Sequence, residues 1–116
     1  MYYYYILNVG MADGEQPDFI YKEEYVELAV NHAFRGLPEP RIRFTKQGKE
    51  PTAVVTVCIT GVQHSSLNHR IQTLSELLNQ DCIAVWDMAK GVGSLIGHVH
   101  TRKQKWGEFD EQYFQI

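Results

Sequence analysis

The chain has few cysteines and no hydrophobic run long enough to span a membrane. Its 116 residues include two cysteines, Cys58 and Cys82, both inside apolar segments, whereas small secreted domains carry several disulfides. This pattern favours reduced, buried thiols. A membrane helix needs about 20 consecutive apolar residues, and the four tyrosines after Met1 lack the basic start of a signal peptide. We therefore expect a cytosolic protein that does not associate with membranes.

An excess of charge of either sign is also missing. Eleven Lys and Arg residues and 14 Asp and Glu residues give a formal net charge of −3, whereas a duplex DNA binder is usually basic. The basic cluster from Arg102 to Lys105 is followed closely by Glu108, Asp110 and Glu111. An RNA-recognition module stacks bases on aromatic residues of its first and third strands, and residues 53–60 contain none. Nucleic acid is therefore not an expected partner.

Four strand patterns and two helix patterns occupy the first 88 residues. Aromatic and β-branched runs predict strands at 2–9, 41–46, 53–60 and 82–87. Apolar residues at helical spacing predict helices at 21–34 and 66–79. The predicted buried stripe of the first helix is Tyr25, Leu28, Ala29, His32 and Ala33, and that of the second is Leu67, Ile71, Leu74, Leu77 and Leu78.

The order of these elements favours a ferredoxin-like βαββαβ sandwich. In this α+β fold an antiparallel four-stranded sheet of order 4-1-3-2 carries both helices on one face. We take the helices to lie in the connections between parallel strands, first to third and second to fourth, so 2–9 and 53–60 are expected as parallel neighbours. The second and fourth strands are expected at the edges. The chain forms one domain, with a core of residues 1–88 and a C-terminal extension, 89–116, that offers a further strand at 95–100.

Alternation along the strands assigns side chains to the two faces of this sheet. The residues expected to face the helices are Tyr5, Leu7, Val9, Ile42, Phe44, Ala53, Val55, Val57, Ile59, Ile83 and Val85. The opposite face, here called the helix-free face, collects Tyr4, Ile6, Asn8, Arg41, Arg43, Thr45, Val54, Thr56, Cys58, Thr60, Ala84 and Trp86. Its central apolar patch should cover a few hundred Å2, a size typical of interaction sites.

The helix-free face is expected to meet another surface. The C-terminal extension, a second copy of the chain, and a different protein or a flat ligand are all compatible with its composition. The predicted interaction surface combines the face with aromatic residues of the extension, namely Tyr4, Ile6, Arg41, Arg43, Trp86, Trp106, Tyr113 and Phe114. We expect a protein partner, a homodimer, or both.

A glycine-rich stretch after the fourth strand offers ligand chemistry. It contains Lys90, Gly91, Gly93 and Ser94, and such a turn can direct backbone N–H groups at a phosphate. The spacing matches neither the dinucleotide fingerprint nor the Walker motif. A flexible link to the C-terminal extension is therefore the favoured interpretation, and a phosphate loop is the alternative.

Metal binding and catalysis have weak support. His98 and His100 would project from the same side of a strand, but a third ligand such as His64, His69 or Asp87 would be needed. No zinc-finger or HExxH spacing is present, so we predict no metal. Asp87 is interpreted as a strand-end carboxylate that accepts a loop N–H.

The sequence therefore favours a small cytosolic protein without catalytic activity or cofactor. We expect a regulatory, interaction or inhibitor protein, of the kind found among accessory proteins of mobile elements, that acts through the helix-free face and its aromatic C-terminal residues. The alternative is a small-molecule-binding protein or enzyme of the dimeric ferredoxin-like type, with a pocket near Tyr4, Trp86, His98 and His100. A cleft lined by those four residues would favour the alternative.

Overall fold

A computed structural model describes residues 2–16, 18–47 and 50–97. These residues form an α+β fold in which a five-stranded antiparallel sheet carries two helices. The elements are β1 (Tyr2–Gly10), α1 (Glu23–Ala33), β2 (Arg41–Gln47), β3 (Glu50–Thr60), a 3-10 turn (His64–Ser66), α2 (Leu67–Leu77), β4 (Cys82–Asp87) and β5 (Val92–Gly97). Of the helices that the structure describes, none has the length and apolar character needed to cross a membrane. The predicted candidates His98, His100, Trp106, Tyr113 and Phe114 lie outside the described residues.

The strands and helices occur where the sequence predicts them. β3 begins at Glu50 instead of residue 53 because its first residues pair with the end of β2, from Thr45↔Thr52 to Gln47↔Glu50. α2 ends just before Asn79, which has a positive φ of 51°. Asparagine tolerates this left-handed conformation better than most residues, and it commonly follows the last turn of a helix.

The strand order is β2-β3-β1-β4-β5, so the sheet has five strands instead of the predicted four. β5 pairs with β4 from Cys82↔Gly97 to Asp87↔Val92, so β4 is an inner strand and was wrongly predicted at an edge. The predicted flexible link is also wrong. The chain turns at Gly91, whose φ is +66°, and residues 92–97 continue as the fifth strand.

β1 and β3 are neighbours, but they are antiparallel, so their predicted parallel pairing is wrong. Their register runs from Tyr2↔Thr60 to Gly10↔Thr52. β2 is antiparallel to β3, and β4 is antiparallel to β1. It follows that β1 points the same way as β2, and β3 the same way as β4. Each helix therefore connects two parallel strands that are separated in the sheet by one antiparallel strand. Such a link is a crossover connection.

Both helices pack on one face of the sheet and build the main core there. All the residues predicted to face the helices belong to this core, with Ile42 and Phe44 partly buried at its margin. α2 buries the predicted Leu67, Ile71 and Leu74, and Leu78 is buried directly after it, whereas the predicted Leu77 is only partly buried. α1 instead buries Val26, Ala29, Val30 and Ala33.

The stripe predicted for α1 was therefore misplaced around the helix. Leu28 is 69% exposed, because the buried positions follow the spacing i, i+3, i+4, i+7 from Val26. Tyr25 lies at the margin of the helix pair, where its hydroxyl donates to the carbonyl oxygen of Leu77 at 2.8 Å. This aromatic residue thus joins the two helices from their solvent side.

The loop between β1 and α1 is tied to the end of α2 through Asp13. Its carboxylate accepts hydrogen bonds from the Tyr21 hydroxyl (2.8 Å), the Gln16 N–H (2.9 Å) and the Asn79 side-chain amide (3.0 Å). These bonds, led by that of Tyr21, lower the pKa of Asp13, while burial and the carboxylate raise the pKa of Tyr21 to about 12. The neighbouring Gly14 N–H donates to the Asn79 carbonyl, so closely that a Cβ at residue 14 would overlap that oxygen.

Both cysteines are free thiols, as predicted. β1 lies between their strands, which are therefore about 10 Å apart, and the cysteines are further apart still, because Cys58 pairs with Tyr4 whereas Cys82 lies beyond the Asn8↔Ala84 pair. This is beyond the reach of a disulfide. They are half-buried rather than fully buried, because Cys58 lies on the helix-free face opposite Tyr4 and Cys82 lies at the start of β4. Partial burial raises the pKa of Cys82.

Leu74→Ala and Leu28→Ala test the orientation of the helices. Leu74 is fully buried and Leu28 is 69% exposed. We expect the first substitution to cost about 2–5 kcal/mol of unfolding free energy and the second about 0.5 kcal/mol or less, measured by urea denaturation. A large loss from Leu28→Ala would show that α1 buries the stripe originally predicted.

Asp13→Asn tests the tie between the loop and α2. The pKa of Asp13 is lowered in the folded state. Its charged form therefore stabilises the fold at pH values above the pKa of an ordinary carboxyl group, and this stabilisation is lost as the pH falls through the folded-state pKa. The variant should be less stable than the parent chain at pH 7, and the difference should shrink below about pH 4. Urea denaturation across this range measures it, and a difference independent of pH would contradict the account.

Candidate functional site

A cleft lies on the helix side of the sheet, at the end where β1 begins and β4 finishes. Its outer part has a volume of about 330 Å3, and its walls include Tyr3, Tyr5, His64, Asp87 and Lys90. A neighbouring part of about 260 Å3 shares Tyr5, His64, Asp87 and Lys90 and adds Leu67, Asn68, Val85, Val92, Ser94 and Ile96. Four polar side chains therefore stand at the junction of the two parts.

Tyr5 and His64 form the centre of the cleft. The Tyr5 hydroxyl lies 3.1 Å from Nδ1 and 3.0 Å from Nε2 of His64, so it faces the ring edge between the two nitrogens. The Tyr3 ring meets the same imidazole edge-on, with 5.4 Å between centroids. Tyr5 is 4% exposed. Burial, together with the charge of Asp87 and the neighbouring Tyr3, raises the pKa of Tyr5.

Asp87 shapes the turn that carries Lys90. Its Oδ1 accepts the backbone N–H groups of Ala89 (3.0 Å) and Lys90 (3.1 Å), which is the role that the sequence predicts for it. The Gly91 N–H donates to the Asp87 carbonyl at 2.8 Å and closes the turn. The carboxylate therefore positions Lys90 at the mouth of the cleft.

The residues of the predicted ligand loop have separate places in the structure. Lys90 and Ser94 line the cleft. Gly91 takes the positive φ of the turn, and Gly93 lies opposite Trp86 in the β4–β5 register. The glycines thus accommodate the turn and the tryptophan ring, while the lysine and the serine point to ligand chemistry.

The helix-free face carries a second apolar cluster. Ile6 is 5% exposed and Val54 6% exposed, and Ala84 and Trp86 pack against them. Ile6 pairs directly with Trp86 across the β1–β4 ladder. The alternation predicted for these strands is therefore observed, and the centre of the helix-free face is nearly as buried as the main core.

Polar residues surround this cluster. Arg41 and Arg43 are exposed on the edge strand β2. Tyr4 is 48% exposed and lies opposite Cys58, whose side chain is the main cause of the raised pKa of the Tyr4 hydroxyl. The face therefore combines an apolar centre with a cationic flank.

The predicted small-molecule pocket and the observed cleft are different places. Tyr4 and Trp86 belong to the helix-free face, whereas Tyr5 and Asp87, one residue further along each strand, belong to the cleft. Sequence analysis missed the pairing of Tyr5 with His64 because 59 residues separate them. The only available signal was that Tyr5 is an aromatic residue with a polar end at a position predicted to be buried.

The described residues contain no group of three His, Cys, Asp or Glu side chains placed to hold a metal ion together. Among known proteins, no family model, no curated protein and no solved structure matches the chain. The chemistry of the cleft and of the helix-free face is therefore the basis for assigning a function.

Tyr5→Phe tests the environment of the cleft. The raised pKa of Tyr5 means that the folded state favours the neutral phenol, so this residue weakens the fold as the pH rises past about 10. At pH 7 the unfolding free energy of the variant should be about 1 kcal/mol lower than that of the parent chain, because the hydrogen bond to His64 is missing. Between pH 9 and 11 the variant should lose stability less steeply than the parent chain.

Tyr2→Phe is the matched control, because Tyr2 is 60% exposed. Denaturant unfolding at several pH values gives both profiles. Identical alkaline profiles for Tyr5→Phe and the parent chain would contradict the buried, His64-bonded placement of this hydroxyl.

Proposed function

We propose that this chain is a small, non-catalytic interaction or regulatory protein that binds another protein surface through the helix-free face. The observation that carries the proposal is the cluster of Ile6 and Val54 with Trp86 on the side of the sheet opposite the helices. An antiparallel sheet with helices on one side usually presents alternating polar residues on the other. Apolar residues concentrated there favour contact with a protein.

Trp86 is the proposed anchor of this contact. It lies on an inner strand, beside Ile6 and opposite Gly93, and is half-buried. A large aromatic side chain at the centre of an apolar patch is typical of binding hot spots. The exposed ring of Tyr4 extends the same patch.

The flank of the face indicates the chemistry of the partner. Arg41 and Arg43 are exposed on β2 beside the apolar cluster, so a partner segment with aromatic and acidic residues is complementary to it. The C-terminal extension has this composition, with Trp106, Tyr113 and Phe114 around three acidic residues. We therefore propose a second copy of the chain as the partner, because it brings both another apolar patch and this acidic, aromatic segment.

The proposal also includes a fold relationship and a location. Counted from β5, the strand order is 5-4-1-3-2, and each helix joins strands of the same direction. These features support a ferredoxin-like core extended by one strand. The free thiols Cys58 and Cys82 support a cytoplasmic location.

Trp86→Ala separates a binding role from a role in the monomer core. If Trp86 anchors a second copy, the variant should weaken dimerisation by about 2 kcal/mol or more, measured by sedimentation over a range of concentrations. Monomer stability should then fall by much less than the ~3–5 kcal/mol typical of a buried aromatic truncation. Phe19→Ala, at an aromatic residue 52% exposed outside the face, is the control and should leave dimerisation unchanged.

A chain that stays monomeric at all concentrations would contradict the proposal, as would a Trp86→Ala variant that loses ~3–5 kcal/mol of stability at an unchanged oligomeric state. Arg41→Glu gives an independent check on the partner's charge. It should weaken the dimer at low salt and have less effect at high salt, because exposed charges are screened.

A further inference from the structure

We infer that the cleft between β1, β4, β5 and the start of α2 is a binding site for a small organic carboxylate that has an apolar body. This site lies on the helix side of the sheet, so it is separate from the helix-free face and does not depend on the function proposed for that face. The inference rests on the cavity, on the hydrogen-bond donors around it and on the apolar wall opposite them.

The polar residues of the cleft include several hydrogen-bond donors and one cation. Lys90, Asn68, Ser94 and His64 line it, and their side chains carry an ammonium, an amide, a hydroxyl and an imidazole. The acidic residue Asp87 already accepts two backbone N–H groups through Oδ1. A ligand that supplies acceptor oxygens therefore satisfies more of these groups than a ligand that supplies donors.

Lys90 is the residue placed to select an anion. The turn fixed by Asp87 holds its backbone, and its side chain lines both parts of the cleft. A lysine ammonium attracts a carboxylate without requiring one fixed geometry, unlike the planar fork of an arginine. Asp87 carries a negative charge at the junction with Tyr5 and His64, so the negative end of the ligand is expected at Lys90 on the side of Asn68 and Ser94.

The other wall of the cleft is apolar. Leu67 of α2, Val85 of β4 and Ile96 of β5 line the part of about 260 Å3. Val92, which is 54% exposed, lines the same part. The two parts, of about 330 and 260 Å3, are small for ligand sites. A carboxylate joined to a short branched or cyclic hydrocarbon would cover the apolar wall and keep its charge at Lys90.

Three probes test the two halves of this ligand. Titrations of the full chain with 4-methylpentanoate, acetate and 4-methylpentan-1-ol, followed by amide 15N NMR, compare the complete ligand with one that lacks the apolar body and one that lacks the charge. We expect saturable shifts at Asn68, Lys90 and Ser94 with 4-methylpentanoate. Acetate and the alcohol should each bind at least roughly tenfold more weakly, because each loses one set of contacts.

Lys90→Gln should weaken 4-methylpentanoate binding roughly tenfold and leave the weak binding of the alcohol unchanged. Lys90 is exposed, as is Lys22, which lies outside the cleft and provides the matched control Lys22→Gln. Thermal unfolding of both variants verifies that they are folded.

Equal affinities for the carboxylate and the alcohol would overturn the inferred ligand class. Shifts that do not saturate, shifts centred on Ile6 and Val54, or an unchanged affinity in Lys90→Gln would overturn the site itself. None of these outcomes bears on dimerisation through the helix-free face, so the two proposals fail separately.

Discussion

The rest of the structure depends on β1, which must keep water away from both faces of the sheet. It lies at the centre, paired with β3 on one side and β4 on the other. Leu7 points to the helices and is fully buried, while its neighbour Ile6 points away from them and is 5% exposed. On the helix side, α1 and α2 exclude the water. On the helix-free face, Ala84 and Trp86 pack against Ile6 and Val54.

The same strand also explains where the cleft forms. Near the start of β1, Tyr3 and Tyr5 line the cleft together with His64 of the turn before α2. Tyr5 still has to be buried, and it directs its hydroxyl to His64. A polar contact thus replaces apolar packing at this end of the sheet, beside a cavity lined by polar residues.

Features with local causes could be predicted from the sequence. The faces of β1 and β3 follow from strict alternation, and the role of Asp87 follows from the short reach between a carboxylate and the turn after it. Sequence patterns failed where the determining contacts are distant. The buried stripe of α1 depends on which side of the helix meets the sheet, and Val26 rather than Leu28 was found there. The further strand was predicted at 95–100 and is observed at 92–97, because its pairing with β4 begins at Val92 opposite Asp87. The prediction that 2–9 and 53–60 are parallel was wrong about strand direction, although both segments are strands and they are neighbours.

The central claim is that a second copy of the chain packs on the helix-free face at Trp86 and Tyr4, beside Ile6 and Val54. Isotope-filtered NOE measurements on a mixture of methyl-labelled and unlabelled chains test it most directly. The account predicts intermolecular NOEs from the methyl groups of Ile6 and Val54 to aromatic protons of the unlabelled copy. The methyl groups of Leu7 and Val55, fully buried on the helix side, should give none. A mixture in which Ile6 and Val54 show NOEs only within their own chain would contradict the claim.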